Sequence, residues 1–397
     1  MATFLLEIEF GGGNLMCVTT ATKVQFFRQN RSIQRDFRSG VSLHSHTMYS
    51  EESLEIIPRY TAKLPYLGRA IGRQLEEFNK KRGFKLDFAN MFWTPPFAPR
   101  QAYRLEEKHI QRQFQLPGLV SLTDHDDIRA GSLLQLLERY HHAPVSTEWT
   151  IPFETTFFHL GIHNMPATEA PALLEELHAY TAKPRQQFLA GILDKLNSYR
   201  DILLVLNHPL WDEKGIGPSH HVRALEHLLR QHSSALHALE VNGLSSWHEN
   251  REVLRLGRQI GLPVVAGGDR HGREPNAILN LSRASTFPEF VDEVKRSRFS
   301  HIVFMPQYHE PLRMRLLQTM VDIVRDYPEN SKGRRSWTDR LFYRKPGSTT
   351  PIPFAAIWNG NGPKIIRQFI AVMRLLEWRG IRSALRRTDS LTTEAHR

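Results

Sequence analysis

Val41-Ser-Leu-His-Ser-His-Thr-Met-Tyr-Ser-Glu51 is a short apolar run that ends in a His-x-His pair, followed by a polar loop. Side chains alternate between the two faces of a strand, so His44 and His46 are expected on the same face. Two imidazoles placed in this way can hold one divalent metal ion. Glu51 follows His46 by five residues, within reach around a tight loop.

The same pattern, an apolar run that ends in polar residues, recurs along the chain. The further apolar runs are Leu119-Val-Ser-Leu-Thr, Ile202-Leu-Leu-Val-Leu, Leu236-His-Ala-Leu-Glu-Val and Pro263-Val-Val-Ala-Gly. Together, the runs place polar residues at their C-terminal ends, namely His44, His125, His208, Glu240 and Asp269. In α/β sheets and barrels, functional groups converge at the C-terminal ends of the strands, so we expect one shared site.

Helical patterns separate several of these runs, over 131–141, 170–180, 184–199, 221–232, 246–260 and 288–297. Strands that alternate with helices predict an α/β fold with a parallel sheet, either open or closed into a barrel.

His125 lies between two acids in Thr123-Asp-His-Asp126. A metal-bound imidazole usually donates its other N–H to a carboxylate, and Asp124 or Asp126 could accept it. The alternative is that Asp126 or Asp127 caps the helix that follows, and both roles are compatible.

Two further candidates lie between the second and third runs. Glu148, in Val145-Ser-Thr-Glu-Trp, is a candidate bridging carboxylate, and Glu154 competes with it. His159 lies in an apolar run, where a buried histidine needs a partner. His163, four residues further on, is the alternative to His159.

Asp269 and His271 are spaced by two residues behind Gly267-Gly268, which lets the backbone come close to a ligand. Arg270, between them, should point the opposite way if the segment is extended.

In this order the motifs resemble the PHP family, the polymerase and histidinol phosphatase domain of metal-dependent phosphoesterases. The matching segments span roughly 41–305 and are His44-Ser-His-Thr-Met-Tyr-Ser-Glu51, Thr123-Asp-His-Asp126, Glu148, His159, His208-Pro209, Glu240-Val-Asn242 and Gly268-Asp-Arg-His271. Three features depart from the family pattern. Glu51 stands where the family usually has Asp, Ser42 stands where an Asp often precedes the first His pair, and the insertion at 55–117 is unusually long.

The resemblance implies a distorted (β/α)₇ barrel with two or three divalent ions, Zn, Mn or Fe, at the C-terminal ends of its strands. The implied ligand sets are His44, His46, Glu148 and Asp269 for one ion, Glu148, His159 and His208 for a second, and Glu51, His125 and His271 for a third.

The implied reaction is phosphoester hydrolysis, in which two ions lower the pKa of a bridging water and the hydroxide attacks phosphorus in line. Asp269, His271 and Arg270 are the expected catalytic residues, with Arg270 as a cation beside the phosphoryl oxygens. His220 and His221, or the insertion, could supply an acid for the leaving group.

The expected domains are an N-terminal segment (1–40), the PHP-like barrel (41–310) and a basic helical extension (311–397). Within 1–40, strands are expected over 4–10 and 17–27. Within the insertion, 67–82 is basic and helix-like, and Phe92-Trp-Thr-Pro-Pro-Phe97 is aromatic and rich in proline. Helices are expected over 313–327 and, with an amphipathic pattern, over 363–387.

The chain has 397 residues, 41% of them hydrophobic and 23% charged, as in ordinary soluble proteins. A single cysteine, Cys17, excludes a disulfide framework and fits a reducing compartment. The start of the sequence lacks the basic stretch of a signal peptide, and no uncharged apolar stretch reaches 18 residues. We therefore expect a cytoplasmic protein without a transmembrane helix.

The net charge is +11, and Pro311–Arg397 holds 17 Lys and Arg against 7 Asp and Glu. Such a basic segment can bind nucleic acid or an anionic membrane, or can serve solubility alone.

The leading hypothesis is a phosphatase or phosphodiesterase for a small phosphorylated metabolite or nucleotide. One alternative is a nuclease of the same fold, in which the basic tail and Phe92, Trp93 and Phe97 contact single-stranded nucleic acid. The others are a metal-stabilised regulatory module without turnover, and peripheral membrane contact through the last helix. The sequence does not give the oligomeric state.

Overall fold

The computed structural model describes residues 21–28, 33–55, 73, 76, 80, 88–331, 333–358, 367, 368, 370 and 371. Two compact units contain them. The first unit comprises the described parts of Met1–Tyr49, Ala98–Arg270 and Glu274–His309. The second comprises those of Ser50–Phe97, His271–Arg273 and Glu310–Arg397.

The expected strand over 4–10 and almost all of the expected helices over 67–82 and 363–387 lie outside the described residues.

The strands alternate with helices over most of the first unit. The described strands are β1 (Ala21–Phe26), β2 (Ser39–Ser45), β3 (Glu52–Ser53), β4 (Met91–Trp93), β5 (Gly118–Val120), β6 (Val145–Phe153), β7 (Thr156–Met165), β8 (Leu203–Asn207), β9 (Ala238–Asn242), β10 (Val264–Arg270), β11 (Ile278–Ser282), β12 (Phe299–Phe304), β13 (Leu341–Tyr343) and β14 (Ile352–Pro353).

The described α-helices are α1 (Ile33–Asp36), α2 (Pro99–Phe114), α3 (Arg129–Gln135), α4 (Ala170–Ala182), α5 (Gln186–Ser198), α6 (Pro218–His232), α7 (Trp247–Ile260), α8 (Phe287–Lys295), α9 (Leu312–Val324) and α10 (Phe354–Ile357). Six of the described helices, α4 to α9, lie close to predicted helical stretches, α3 overlaps one in part, and α2 lies where no helix was predicted. None of these described helices has both the length and the apolarity needed to cross a bilayer.

Local sequence explains where helices begin and end, as α7 illustrates. The Ser246 side chain accepts the Glu249 N–H, and the Glu249 carboxylate accepts the Ser246 N–H, which satisfies two amides at the helix start. The helix ends at Gly261, whose φ of 69° lies in the left-handed region that glycine adopts without strain.

The first unit is built on a ten-stranded mixed sheet in the order β1-β12-β11-β2-β10-β9-β8-β7-β6, with β5 paired to β2. The pairs β2–β10, β10–β9, β9–β8 and β2–β5 are parallel. β7 and β11 run antiparallel to their neighbours. The fold is therefore mixed α/β with a central sheet rich in parallel pairs, as predicted. The strands β7 and β11 are antiparallel, whereas the sheet was expected to be parallel.

The core of the first unit lies between this sheet and its helices. Apolar residues of β6, β8, β9 and β10 pack against the inner faces of α4, α5, α6 and α7. Because β8 and the first half of β10 are buried on both sides, they read as continuous apolar runs rather than alternating ones.

The second unit has its own four-stranded sheet in the order β14-β13-β4-β3. Trp93 belongs to the buried cluster of this unit, together with Trp337, Phe354 and Trp358. On the opposite face, Phe92 stacks on Phe342.

Candidate metal centre

The polar ends of the central strands of the first unit meet around one carboxylate, that of Glu148 in β6. Glu148 is fully buried, as are His44 and His46 of β2 and the following turn. His125 follows β5, His159 lies in β7, His208 follows β8 and Asp269 lies in β10. The sequence-predicted candidates of this unit thus lie together in space.

Four ligand-type side chains surround one point. His44 Nε2 lies 2.9 Å from Glu148 Oε2 and 3.5 Å from Asp269 Oδ1. His46 Nε2 lies 3.4 Å from Glu148 Oε2 and 3.3 Å from Asp269 Oδ1. Ligand atoms 2.0–2.2 Å from one tetrahedral zinc ion are roughly 3.3–3.6 Å apart. The three longer distances fit a shared ion, whereas the His44–Glu148 contact at 2.9 Å is a direct hydrogen-bond distance.

The other oxygen of Glu148 faces a different pair of imidazoles. Glu148 Oε1 lies 3.4 Å from His159 Nδ1 and 3.2 Å from His208 Nε2. His125 Nδ1 approaches Glu148 Oε2 at 3.4 Å. Groups able to hold an ion therefore include His125, Glu148 and His159 as well as His44, His46 and Glu148.

Charge surrounds the buried His44 imidazole. Burial alone would lower the pKa of His44, but the carboxylates of Glu148, Glu240 and Asp269 together raise it well above its ordinary value. Burial alone would likewise raise the pKa of Glu148, but the nearby imidazoles, led by that of His44, lower it well below its usual range.

The pKa of His159 shifts in the opposite direction to that of His44. Burial, supported by the neighbouring histidines, lowers the pKa of His159 well below its ordinary value. A lowered pKa favours the neutral imidazole, which is the form that binds a metal ion.

A polar network behind the ligands sets their orientation. His44 Nδ1 lies 2.7 Å from Glu240 Oε2, which leaves Nε2 facing Glu148 and Asp269. The Asn242 amide donates to Glu240 Oε1 at 2.9 Å and to Asp269 Oδ2 at 3.2 Å. Asn242 therefore couples the orientations of both carboxylates.

Arg270 does not have the position expected of a cation that faces substrate. Its side chain is almost fully buried, and its Nε lies 2.9 Å from Glu106 Oε1. A second guanidinium nitrogen donates to the His46 carbonyl at 3.1 Å. Arg270 is committed to a buried ion pair with Glu106, and this corrects its expected role beside the phosphoryl oxygens.

In the second unit, Glu52 rather than Glu51 contacts His271. His271 Nε2 lies 3.0 Å from Glu52 Oε2. Glu51 is exposed, and Arg344 donates to both of its carboxylate oxygens at 2.8 Å. The carboxylate that meets His271 is therefore one residue later than the motif comparison suggested.

The acids around His125 have separate structural contacts. Asp124 accepts the Thr47 N–H and hydroxyl, which fixes the turn after His46. Asp126 accepts the Thr150 N–H, and Asp127 accepts the Arg129 N–H at the start of α3.

The competing candidates have other partners. Glu154 pairs with His227 at the surface. His163 is buried against Ser121, and burial lowers its pKa to about 3. His221 contacts the Pro209 carbonyl behind His208, whereas His220 is exposed.

The paired glycines before Asp269 make room for two side chains. A Cβ on Gly267 would lie 1.9 Å from Glu240 Oε2, and one on Gly268 would lie 1.7 Å from Asn276 Cγ. Glu106 and Asn276 escaped the sequence analysis because neither belongs to a recognisable motif.

Neither a protein-family model nor a curated protein matches the chain. One similar solved structure is a two-domain protein from Bacteroides vulgatus containing a predicted PHP-like metal-dependent phosphoesterase. It shares 11% identity, with 72% of this chain and 69% of that chain covered and a TM-score of 0.39.

Two further similar structures differ in their assigned chemistry. A protein from Bifidobacterium adolescentis, assigned as a metal-dependent phosphoesterase, shares 14% identity, with 66% and 96% of the two chains covered and a TM-score of 0.33. An amidohydrolase from Chromobacterium violaceum shares 14% identity, with 45% and 84% covered and a TM-score of 0.32.

Proposed function

We propose that the chain is a metal-dependent phosphoesterase that hydrolyses a phosphate ester of a small metabolite or nucleotide. The observation that carries the proposal is the Glu148 carboxylate, whose two oxygens face different sets of imidazoles. A carboxylate placed in this way can bridge two ions.

The residues fit a pair of divalent ions. Imidazole and carboxylate donors suit Zn, Mn and Fe alike. His44, His46, Asp269 and Glu148 Oε2 would hold one ion, and His159, His208 and Glu148 Oε1 the other. When bound, such ions lower the pKa of a shared water towards neutrality and offset charge on a phosphoryl group.

The chain itself supplies orientation and rigidity. Glu240 holds His44 by its Nδ1, and Asn242 holds Asp269, so both ligands face the centre before an ion binds. We also propose that Glu52, rather than Glu51, is the carboxylate that acts together with His271 in the second unit. Its contact with His271, set against the pairing of Glu51 with Arg344, supports this.

The proposed architecture is the seven-stranded barrel that the resemblance implies. A parallel bridge between His125 and Glu148 supports it, since His125 continues β5 and Glu148 lies in β6. Through this bridge the strands β2, β10, β9, β8, β7, β6 and β5 would form a ring. In that arrangement the bridge at Glu148 would close the ring at the point where the candidate ligands meet.

A phosphate-release screen tests the proposed function. The full chain would be assayed with Mn²⁺, Zn²⁺ or Fe²⁺ on phosphomonoesters, nucleotides, phosphodiesters and short oligonucleotides. We expect hydrolysis of small esters, and loss of it in the double variant His44→Ala/His46→Ala. Equal activity of wild type and double variant would contradict the site assignment, and hydrolysis of oligonucleotides alone would favour the nuclease.

A further inference from the structure

Three of the candidate ligands, His44, His208 and Asp269, have strained backbone, and two of them lie on the adjacent strands β2 and β10. His44 has a φ of 61° and Asp269 a φ of 55°, both in the left-handed region that residues with a side chain rarely adopt. The ladder between β2 and β10 also shifts register between Gly267 and Arg270. Such strain persists only where the surrounding structure holds it.

The side chain of Asn276 contacts the chain on both sides of His44. Its Nδ2 lies 3.1 Å from the Leu43 carbonyl oxygen, 3.1 Å from Ser45 Oγ and 2.7 Å from Ser42 Oγ. The same side chain packs against Gly268, immediately before Asp269. One buried amide therefore reaches the neighbours of both His44 and Asp269.

The buried Glu106 carboxylate, from α2, completes the arrangement. It accepts the Asn276 N–H at 3.2 Å and the Ser42 hydroxyl at 3.1 Å, and it pairs with Arg270, immediately after Asp269. Arg270 in turn donates to the His46 carbonyl, and the His46 N–H donates to the Arg270 carbonyl.

We propose that Asn276 and Glu106 are positioning residues that hold the strained backbone of His44 and Asp269 and so preset the metal ligands. The inference rests on the proposed function, because it presumes that these ligands bind an ion. The proposal also assigns a role to part of the long insertion, because α2 places Glu106 in the core.

The chain offers a matched control in Asn280. Like Asn276, Asn280 is about 1% exposed. Its amide also joins β2 and β10, through the Val41 carbonyl and both backbone groups of Ala266. Asn280 therefore stabilises the same strands without contacting the neighbours of His44 or Asp269.

The test is a Co²⁺ titration of the full chain, followed by the d–d absorption of the bound ion and repeated in competition with Zn²⁺. We expect Asn276→Ala and Glu106→Gln to raise the Co²⁺ dissociation constant roughly tenfold or more and to change the absorption band. Asn280→Ala should keep the wild-type constant and band, although it lowers thermal stability.

The outcomes distinguish failure of the proposed function from failure of the positioning roles alone. A wild type that binds no Co²⁺ would overturn the proposed function itself. A wild type that binds Co²⁺, with Asn276→Ala and Glu106→Gln binding equally well, would overturn only the positioning roles. Equal weakening in Asn280→Ala would also overturn them, because the effect would then follow general stability. If Asn276→Ala does not fold, the near-isosteric Glu106→Gln decides.

Discussion

Glu240 Oε2 lies 2.7 Å from Nδ1 of His44, and this contact determines which nitrogen of the imidazole faces the centre. Because Nδ1 donates to Glu240, Nε2 is directed at Glu148 Oε2, 2.9 Å away. A carboxylate behind a ligating histidine fixes its tautomer and raises its basicity.

Removing this carboxylate should weaken metal binding. We expect Glu240→Ala to raise the dissociation constant for Zn²⁺ about 10–100-fold, measured by competition with a chromophoric chelator. Glu240→Gln keeps an acceptor for Nδ1 and should lose less. Wild-type affinity in Glu240→Ala would show that His44 does not need this partner.

Gly268 should tolerate no side chain, because a Cβ there would overlap Asn276. We expect Gly268→Ala to lower the free energy of unfolding by about 1–3 kcal/mol, measured by urea denaturation. Gly191 in α5 is the matched control, since nothing lies within 4 Å of its added Cβ. Gly191→Ala should raise stability by about 0.5–1 kcal/mol. Equal effects of the two substitutions would refute the packing argument.

His237 should make stability depend on pH. Its Nδ1 accepts the Leu204 N–H, and its Nε2 contacts Asn197. Burial, with Lys295 and Arg298 nearby, lowers the pKa of His237 to about 3 from an ordinary value of 6.5. Because the folded pKa is depressed, the unfolded chain binds more protons between these values. The stabilisation is therefore present above pH 6.5 and is lost as the pH falls towards 3.

The magnitude can be isolated with His237→Asn, which keeps an acceptor for Leu204 but does not titrate. Between pH 7 and pH 5, the wild type should lose about 2 kcal/mol more unfolding free energy than the variant. Parallel pH profiles of the two proteins in urea denaturation would exclude a neutral, buried His237.

Chelation should destabilise the protein if the folded chain binds ions tightly. At an ion concentration about 1,000 times the dissociation constant, binding stabilises by about 4 kcal/mol, so EDTA should lower the melting temperature of the wild type. His44→Ala/His46→Ala should respond far less. Identical shifts in both proteins would place the ion elsewhere.

The sequence was sufficient to predict the mixed α/β class of the first unit and the proximity of its candidate ligands. Short apolar runs ending at His44, His125, His208 and Asp269 identify strand ends, because fully buried parallel strands are apolar throughout. Helices such as α7 were predictable because Ser246 and Gly261 provide ordinary start and stop signals.

The antiparallel β6–β7 hairpin was not predictable in the same way. Its two-residue turn is Glu154-Thr155, with Glu154 at a φ of 50°, and it lacks the glycine or asparagine that usually marks such a turn.

The directions of side chains and the pairing of residues distant in sequence were also not predictable from the sequence. Glu52 pairs with Trp93 in the β3–β4 ladder, whereas Glu51 precedes the strand, and this one-residue difference depends on register. Glu106 and Arg270 are 164 positions apart in the sequence, so their pairing is a property of the folded chain alone.

Metal content, measured by inductively coupled plasma mass spectrometry beside phosphate release on the same samples, tests the central claim most directly. The account predicts at least two ions per wild-type chain. It predicts loss of ions and of phosphate release together in Glu148→Ala, because both ions share that carboxylate. A Glu148→Ala protein with wild-type metal content and activity would contradict it.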